Sequence, residues 1–428
     1  MKKTNLLIGF VLLLTSCSDF INSRDVDVSA KPARELPQGQ KNPFPAGFEE
    51  PTVGSFSEEK LLLNTGLNVV APAAQSLMQE LQIFSVRLEQ SCGSNKNDAD
   101  LLNQWNKVIF AFHKVDALGF GPLTDKNSDN LNLRSIFYAW PISNFCQVDK
   151  AVYEMNQNSK ISMKLPYNSK GLDAIEYLLF ENTLNVKCNT TANPSLKEWV
   201  QLAGTIKRKN RCDVAVLLTK DLLTSARTLN DQWDRDSMNF SKTLVDGSRF
   251  TSKKAAINEL TNALYLLESV KDIRLGIPSG KNKTECTSET GNCPERVEHG
   301  FSDSSWVAID ARLEGFKQGF FGGDVAAANA YGIDDYLKQI GHPEISQKIF
   351  GLMENAEKSL QNLKKSGSLK QAAAQVNPAQ CQETTLTNRL DPLCGFYEDI
   401  RIITSTMKTE VLIALSLSEP PVYQGDND

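Results

Sequence analysis

Two carboxylates stand out in the segment "NSKGLDAIEYLLF", residues 168–180. Asp173 and Glu176 lie three residues apart, so a helix would place both on one face. Apolar residues cover more than half of the circumference of that helix, and the two acids share the remaining arc with Tyr177 and Phe180. A helix of this composition is mostly buried, and a buried carboxylate requires a cation, a hydrogen-bonding partner or a shared proton. The segment therefore predicts an acidic pair that faces inward and meets a positive partner.

The rest of the chain predicts helices that could enclose such a site. From about residue 56 to residue 420, apolar residues recur at three- and four-residue spacing, as in "ADLLNQWNKVIFAFHKVDAL", and clear alternating strand patterns are absent. The sequence thus predicts an all-α fold. A body of this length exceeds one compact core, so we expect two helical bundles packed against each other. We place the N-terminal bundle at 56–235, the C-terminal bundle at 236–420 and a tail at 421–428, with the boundary in the polar stretch "NDQWDRDSMNFSKTLVDGSRF".

The N-terminal residues follow the order of a bacterial lipoprotein signal. Two lysines precede a short apolar run and then "LTSC", which predicts a signal peptide over 1–16 and a lipid on Cys17. The Pro- and Ser-rich segment 17–55 is typical of a flexible tether. Ser18 follows the lipidated residue, which favours the outer membrane over the inner one. These features predict a lipid-anchored protein of the Gram-negative cell envelope, held on the outer membrane through Cys17 and facing the periplasm.

Charge and cysteine content narrow the function classes. The formal net charge is −5, and removal of the two signal-peptide lysines makes it more negative. An acidic body argues against nucleic acid as a partner. Besides Cys17 the chain has an even number of cysteines, which in a secreted protein predicts disulfides. Cys286 with Cys293 and Cys381 with Cys394 are local pairs, and the connectivity stays open for the other four: Cys92, Cys146, Cys188 and Cys212.

The acidic helix resembles that of imelysin-like proteins (peptidase family M75), whose hallmark is Gly-x-His-x-x-Glu followed by an apolar run. Gly171 and Glu176 match the hallmark, and Asp173 stands where the histidine belongs. Further similar segments keep the order of that family; they are "FGP" at 120–122, "WPIS" at 140–143, "LTKDL" at 218–222, "IRLGIPSG" at 273–280 and "VEHGFSDSSWVAIDARLEGF" at 297–316. The resemblance implies two helical bundles with a site between them, in a secreted or lipid-anchored protein associated with iron acquisition.

By this resemblance, Asp173 and Glu176 occupy the hallmark positions of a metal site. An Asp/Glu pair offers only oxygen, which favours hard cations such as ferric iron, calcium or magnesium; loss of metal binding is the alternative. His113 and Asp116, three residues apart on an earlier helix, are further predicted metal ligands. The second bundle is expected to close the ligand-binding site with Glu298, Ser302 and Asp310.

The histidine content argues against a zinc hydrolase. The chain has only His113, His299 and His342 and no His-Glu-x-x-His, whereas such enzymes use three protein ligands and a general base. We expect His299 to be exposed and His342, which precedes a proline, to start a helix.

The sequence as a whole predicts a binding lipoprotein rather than an enzyme. It would hold a metal ion, iron among the candidates, or a metal-bearing small ligand in the cleft between the bundles, and would serve metal uptake. An M75-type metallopeptidase is the alternative. A further alternative is an envelope interaction protein that binds another envelope protein and in which the acidic pair meets a buried arginine such as Arg134.

Overall fold

The structure is a computed structural model that describes residues 56–92, 99–126, 132–157, 165–283, 285–286, 288–323 and 330–418. Every regular element within these ranges is a helix, which confirms the predicted all-α fold. The predicted signal peptide, Cys17, the tether and the tail lie outside the described residues. Among the described helices, none combines the length and apolar composition that crossing a bilayer requires.

The first half of the described chain forms eight α-helices. Their bounds are α1 (Glu58–Asn64), α2 (Ala71–Cys92), α3 (Ala99–Ala117), α4 (Leu133–Phe137), α5 (Phe145–Gln157), α6 (Gly171–Phe180), α7 (Leu196–Gln201) and α8 (Gly204–Trp233). A π-helical turn joins α1 to α2 at Thr65–Val70. Short 3₁₀ turns lie at Gly121–Leu123 and Tyr167–Ser169.

The second half continues the numbering. Its α-helices are α9 (Phe240–Thr243), α10 (Lys253–Leu264), α11 (Gly276–Ser279), α12 (Ser305–Phe321), α13 (Ile333–Gln339), α14 (Pro343–Lys364), α15 (Leu369–Gln375), α16 (Pro378–Glu383), α17 (Pro392–Thr406) and α18 (Leu412–Ala414). π-Helical turns lie at Val270–Leu275 and Met407–Val411, and 3₁₀ turns at Tyr265–Leu267 and Pro294–Arg296. His342 is the N-cap of α14, as predicted.

Helices α3 and α12 pack against each other and join the two halves of the chain. Two glycines of α12 allow this close approach. A Cβ atom on Gly315 would lie 2.6 Å from the backbone oxygen of Lys114, and one on Gly319 would lie 2.8 Å from the side chain of Leu118. The same contact brings the inner faces of both helices, with His113 on α3 and Arg312 on α12, into the centre of the molecule.

Other helices complete the packing on either side of this contact. In the first half, α2 packs against α3 and α8, and α6 packs against α8. In the second half, α14 packs against α12 and α17. The largest group of mutually contacting buried apolar side chains includes residues of both halves, among them Trp105, Trp233, Phe316 and Phe396. Helix α8 ends at Trp233, next to the predicted bundle boundary, and that boundary stays a prediction.

Four disulfides cross-link the described chain. The two predicted local pairs, Cys286–Cys293 and Cys381–Cys394, are confirmed. The other four cysteines, whose pairing the sequence left open, form Cys92–Cys212 and Cys146–Cys188. The first of these joins the end of α2 to α8, and the second joins α5 to the segment that follows α6.

Candidate functional site

Both acids of α6 face the protein interior, as predicted. Asp173 and Glu176 are each 3% exposed. Gly171 starts the helix with a φ of +79°, and a Cβ atom there would lie 2.5 Å from the backbone oxygen of Phe137. Only glycine combines this left-handed backbone with so close an approach. The glycine therefore fixes where α6 begins, and with it the direction of the two carboxylates.

Glu176 is held by a loop from the second half of the chain. Its Oε1 accepts hydrogen bonds from the backbone N–H groups of Phe301 and Ser302, at 3.1 and 2.9 Å, and from Ser302 Oγ at 2.9 Å. Its Oε2 lies 2.7 Å from Nδ1 of His299. A carboxylate with this many donors is satisfied without an ion. Ser302, predicted to bind ligand, thus contacts the motif glutamate directly.

His299 is buried, with 2% of its surface exposed, so the expectation of an exposed residue is wrong. Glu176, which lies far away in sequence, draws the ring inward by accepting at Nδ1. The backbone at His299 and Asp303 is left-handed, with φ of +54° and +57°. Such conformations cost about 1–3 kcal/mol each and persist where the surroundings enforce them, commonly at functional sites.

The two buried histidines face each other. Nε2 of His299 lies 2.7 Å from Nε2 of His113, so one ring donates and the other accepts. His113 is fully buried, and burial together with the charge of Arg312 lowers its pKa to about 3. At neutral pH His113 is therefore uncharged. Its Nδ1 lies 4.0 Å from Oδ2 of Asp116, which is beyond hydrogen-bond distance.

Guanidinium groups surround the neighbouring carboxylates. Arg312 binds Glu298 through two hydrogen bonds of 2.6 and 2.9 Å, and Nε of Arg274 lies 3.3 Å from both Glu298 oxygens. Burial alone would raise the pKa of Glu298, but Arg274 and Arg312 hold it well below its usual range. Arg274 comes from the π-helical turn Val270–Leu275, an irregularity often found at functional sites.

Asp116 belongs to the same charged group. Its Oδ1 accepts a 2.5 Å hydrogen bond from Nε of Arg134, and its Oδ2 lies 3.7 Å from Nη2 of Arg312. Burial opposes ionisation, but Arg134 and other nearby donors keep the pKa of Asp116 below its usual range. The arginine named in the interaction-protein alternative, Arg134, therefore pairs with Asp116 rather than with the acids of α6. Asp116 and Glu298 thus share the guanidiniums of Arg134, Arg274 and Arg312, whereas Glu176 pairs with His299.

Asp173 forms no ion pair within the described part of the chain. Its Oδ1 accepts from the backbone N–H of Ala139 at 3.3 Å, and its buried Oδ2 forms no hydrogen bond of acceptable geometry. Burial raises the pKa of Asp173 to about 6, and the charge of Glu176 adds to the rise, against the lowering effect of Ser143 and Ala139. An ionised Asp173 is therefore a buried carboxylate without a cationic partner among the described residues, and a proton or a cation can neutralise it.

The imelysin family model (Peptidase_M75) matches residues 68–392. The chain belongs to the imelysin family.

Two solved structures share the imelysin fold seen here. An imelysin-like protein from Psychrobacter arcticum 273-4 has a TM-score of 0.59 and 13% identity, over 85% of this chain and 98% of that one. A putative iron-regulated protein A precursor from Parabacteroides distasonis ATCC 8503 has a TM-score of 0.57 and 14% identity, over 84% of this chain and 96% of that one. A comparison with curated proteins yields no match. At these identities the two structures establish the fold alone.

Near the two acids of α6, which offer only oxygen, the chain also places nitrogen donors. One donor atom each of His113, Glu298 and His299 lie within 4.8 Å of one another, and all three residues are buried. Of these, His113 is in the predicted metal set and Glu298 in the predicted ligand-binding set.

The structure brings most of the predicted site residues of this imelysin into one connected cluster. They are Glu176, Asp116, His113, Glu298 and Ser302, whereas Asp173, one helical turn before Glu176, accepts its hydrogen bond from the backbone of Ala139. Asp310 instead pairs with Lys364 at 2.8 Å on a partly exposed face of α12. The sequence reasoning missed His299, Arg274 and Arg312. His299 is adjacent to the predicted Glu298, and Arg274 and Arg312 lie in family-like segments, but no local pattern marks any of the three as a buried site residue.

Proposed function

We propose that this imelysin is an envelope lipoprotein that binds a metal ion at the facing imidazoles of His113 and His299, in the service of metal uptake. Iron is the leading candidate. One observation carries the proposal: two buried imidazole nitrogens meet at 2.7 Å beside a group of acids in which Asp173 has no cationic partner among the described residues. An ion placed between the rings would replace their mutual hydrogen bond and compensate the charge of Asp173.

The donor set indicates which ions fit. Two imidazoles with a carboxylate suit borderline divalent cations, and non-haem ferrous iron uses this combination in oxygenases. Glu298 has its oxygens committed to Arg274 and Arg312, so the histidines contribute the nitrogen ligands first. The proposed preference therefore moves from the hard cations of an oxygen-only pair towards ferrous iron and zinc. The similar protein described as iron-regulated supports iron among these.

Entry of an ion requires movement of the loop that carries His299. The cluster is closed to solvent, with His113 and Glu298 fully buried. The loop 299–303 has left-handed residues at both ends, His299 and Asp303. Release of the hydrogen bonds to Glu176 would let these strained residues relax and open the site.

Calorimetric titration of the chelator-treated mature chain with ferrous, ferric, zinc and calcium ions tests this proposal. His113→Gln and His299→Gln remove one imidazole each, and His342→Gln is the matched control because His342 is a half-exposed histidine at the N-cap of α14. We expect tight ferrous binding by the wild type and the control, and at least ten-fold weaker binding by the other two variants. Equal affinities in all four proteins would overturn the metal site.

The proposed location depends on the N-terminal residues rather than on the site. A lipid on Cys17 would hold the body on the outer membrane, on its periplasmic side. Cys17→Ser should move the protein from the membrane fraction to the soluble periplasmic fraction on cell fractionation. A Cys17→Ser protein that stays with the outer membrane would contradict lipid anchoring through this residue.

A further inference from the structure

A pocket of about 470 Å³ lies beside the buried cluster, where the C-terminal end of α6 meets the ends of α2 and α3 and the first turns of α8. Its size falls in the range of small-molecule sites. Its apolar walls are formed by Leu101, Leu102, Leu178, Phe180, Leu184 and Phe301. Phe301 is held in place by ring contacts with Phe145 and Tyr177. The pocket therefore has a fixed apolar lining suited to an aliphatic or aromatic group.

Two of the four charged side chains that line the pocket are already neutralised. Glu181 forms an ion pair of 3.1 Å with Arg211, and Lys209 forms one of 2.6 Å with Asp213. These pairs leave the pocket no net charge of their own. A ligand charge would find no unpaired partner among them.

Two further side chains at the pocket differ from these. Arg208 and Asp303 line it and are exposed, and neither forms an ion pair or hydrogen bond with another residue in the described part of the chain. They carry opposite charges on different elements, Arg208 on α8 and Asp303 on the loop before α12. Asp303 also has the left-handed backbone noted above. The pocket thus presents one uncompensated cation, one uncompensated anion and an apolar wall.

We propose that this pocket binds a small zwitterion with an apolar body, namely an apolar amino acid or a short apolar peptide with free termini. The ligand carboxylate would pair with Arg208 in the bidentate geometry that guanidinium groups favour. The ligand ammonium group would pair with Asp303, and the apolar side chains would lie against the leucines and Phe301. This inference does not depend on the metal proposal, because neither charged residue belongs to the cluster of histidines.

The pocket is linked to the buried cluster through Phe301 and Ser302. Both residues line it and donate backbone N–H groups to Oε1 of Glu176, and Ser302 also donates its hydroxyl at 2.9 Å. A ligand against Ser302 therefore touches the loop 299–303, which also carries His299. The binding test is made on chelator-treated protein, so that metal affinity and pocket affinity are measured separately.

Calorimetry of the full mature chain with leucine, leucyl-leucine and leucyl-leucyl-leucine tests the pocket. Arg208→Gln and Asp303→Asn each remove one of the two free charges, and both positions are exposed, so folding is preserved. Arg227→Gln is the matched control, because Arg227 lies on the same helix well away from the pocket lining. We expect at least one of the three probes to bind, with at least five-fold weaker affinity in each pocket variant and unchanged affinity in the control.

End-blocked peptides distinguish the roles of the two charges. Amidation of the C-terminus should reproduce the loss caused by Arg208→Gln, and acetylation of the N-terminus should reproduce the loss caused by Asp303→Asn. If Arg208→Gln weakens binding and Asp303→Asn does not, the pocket binds an anion and the zwitterion proposal is overturned. Absence of binding by all three free probes, or equal affinity in both pocket variants and the wild type, would overturn the pocket proposal and leave the metal site untouched.

Discussion

At the scale of single residues, the two acids of α6 have opposite environments although they lie one helical turn apart. Glu176 accepts from two backbone N–H groups, a hydroxyl and His299, whereas Asp173 accepts only one backbone hydrogen bond. Glu176 has a structural role, because its hydrogen bonds hold the loop that carries His299. Asp173 carries an energetic cost when it is ionised, because a buried carboxylate without a cation is unfavourable.

The cost at Asp173 predicts a pH-dependent stabilisation by Asp173→Asn. Because the folded-state pKa of about 6 lies above the ordinary aspartate pKa of 3.8, the cost of ionisation is absent below pH 3.8, grows between pH 3.8 and 6 and is complete above pH 6. The full shift corresponds to about 3 kcal/mol. We expect the variant to unfold at higher temperature than the wild type at pH 7.5, with a gain that shrinks towards pH 4. Thermal unfolding of metal-free protein across this range measures it, and a pH-independent difference would contradict the assignment.

The inward direction of these acids could be predicted from the sequence, but the environment of His299 could not. Apolar residues cover most of the circumference of α6, so the helix is buried on nearly all sides and its two acids must also face the interior. The burial of His299 depends instead on a contact with Glu176 across the fold, and a polar loop gives no local sign of it. Arg274 was hidden for a similar reason, because its direction depends on a π-helical turn that hydrophobic periodicity does not reveal.

At the scale of elements, the contact between α3 and α12 positions the site. Helix α3 supplies His113 and Asp116, and α12 supplies Arg312, which contacts Asp116 and Glu298. The helices approach closely because α12 has glycine where α3 passes. The sequence predicted both helices but not this pairing, because periodicity identifies a buried face and not its partner.

The close approach predicts a large effect of Gly315→Ala. The added Cβ would lie 2.6 Å from a backbone oxygen of α3, which cannot rotate away as a side chain can. We expect a loss of about 1–3 kcal/mol in the free energy of unfolding, and weaker ferrous binding as the helices separate. Gly351→Ala is the control, since Gly351 lies within α14 with open space around it. There alanine should stabilise by up to about 1 kcal/mol. Urea unfolding measures both, and equal effects would contradict the packing argument.

At the scale of the whole molecule, the all-α class could be predicted from the hydrophobic periodicity. The predicted division into two bundles stays a prediction, because the packing does not test it. Buried apolar residues of both halves form one contiguous group, and α3 with α12 crosses the expected boundary. The local disulfides could be assigned from sequence spacing. The pairing of the other four cysteines could not, because it depends on which helices become neighbours in the fold.

The long-range disulfide predicts a stability difference that depends on the length of chain it closes. Cys92 and Cys212 are 120 residues apart, whereas Cys286 and Cys293 are 7 apart. In the chain-entropy model, the longer loop contributes about 5 kcal/mol and the shorter about 2 kcal/mol. Replacing Cys92 and Cys212 with serine should therefore lower the free energy of unfolding more than the same change at the short pair. Urea unfolding of the two double variants, with circular dichroism to verify helix content, gives the comparison. A larger loss at the short pair would show that native packing, and not loop closure, sets the contribution of these cross-links.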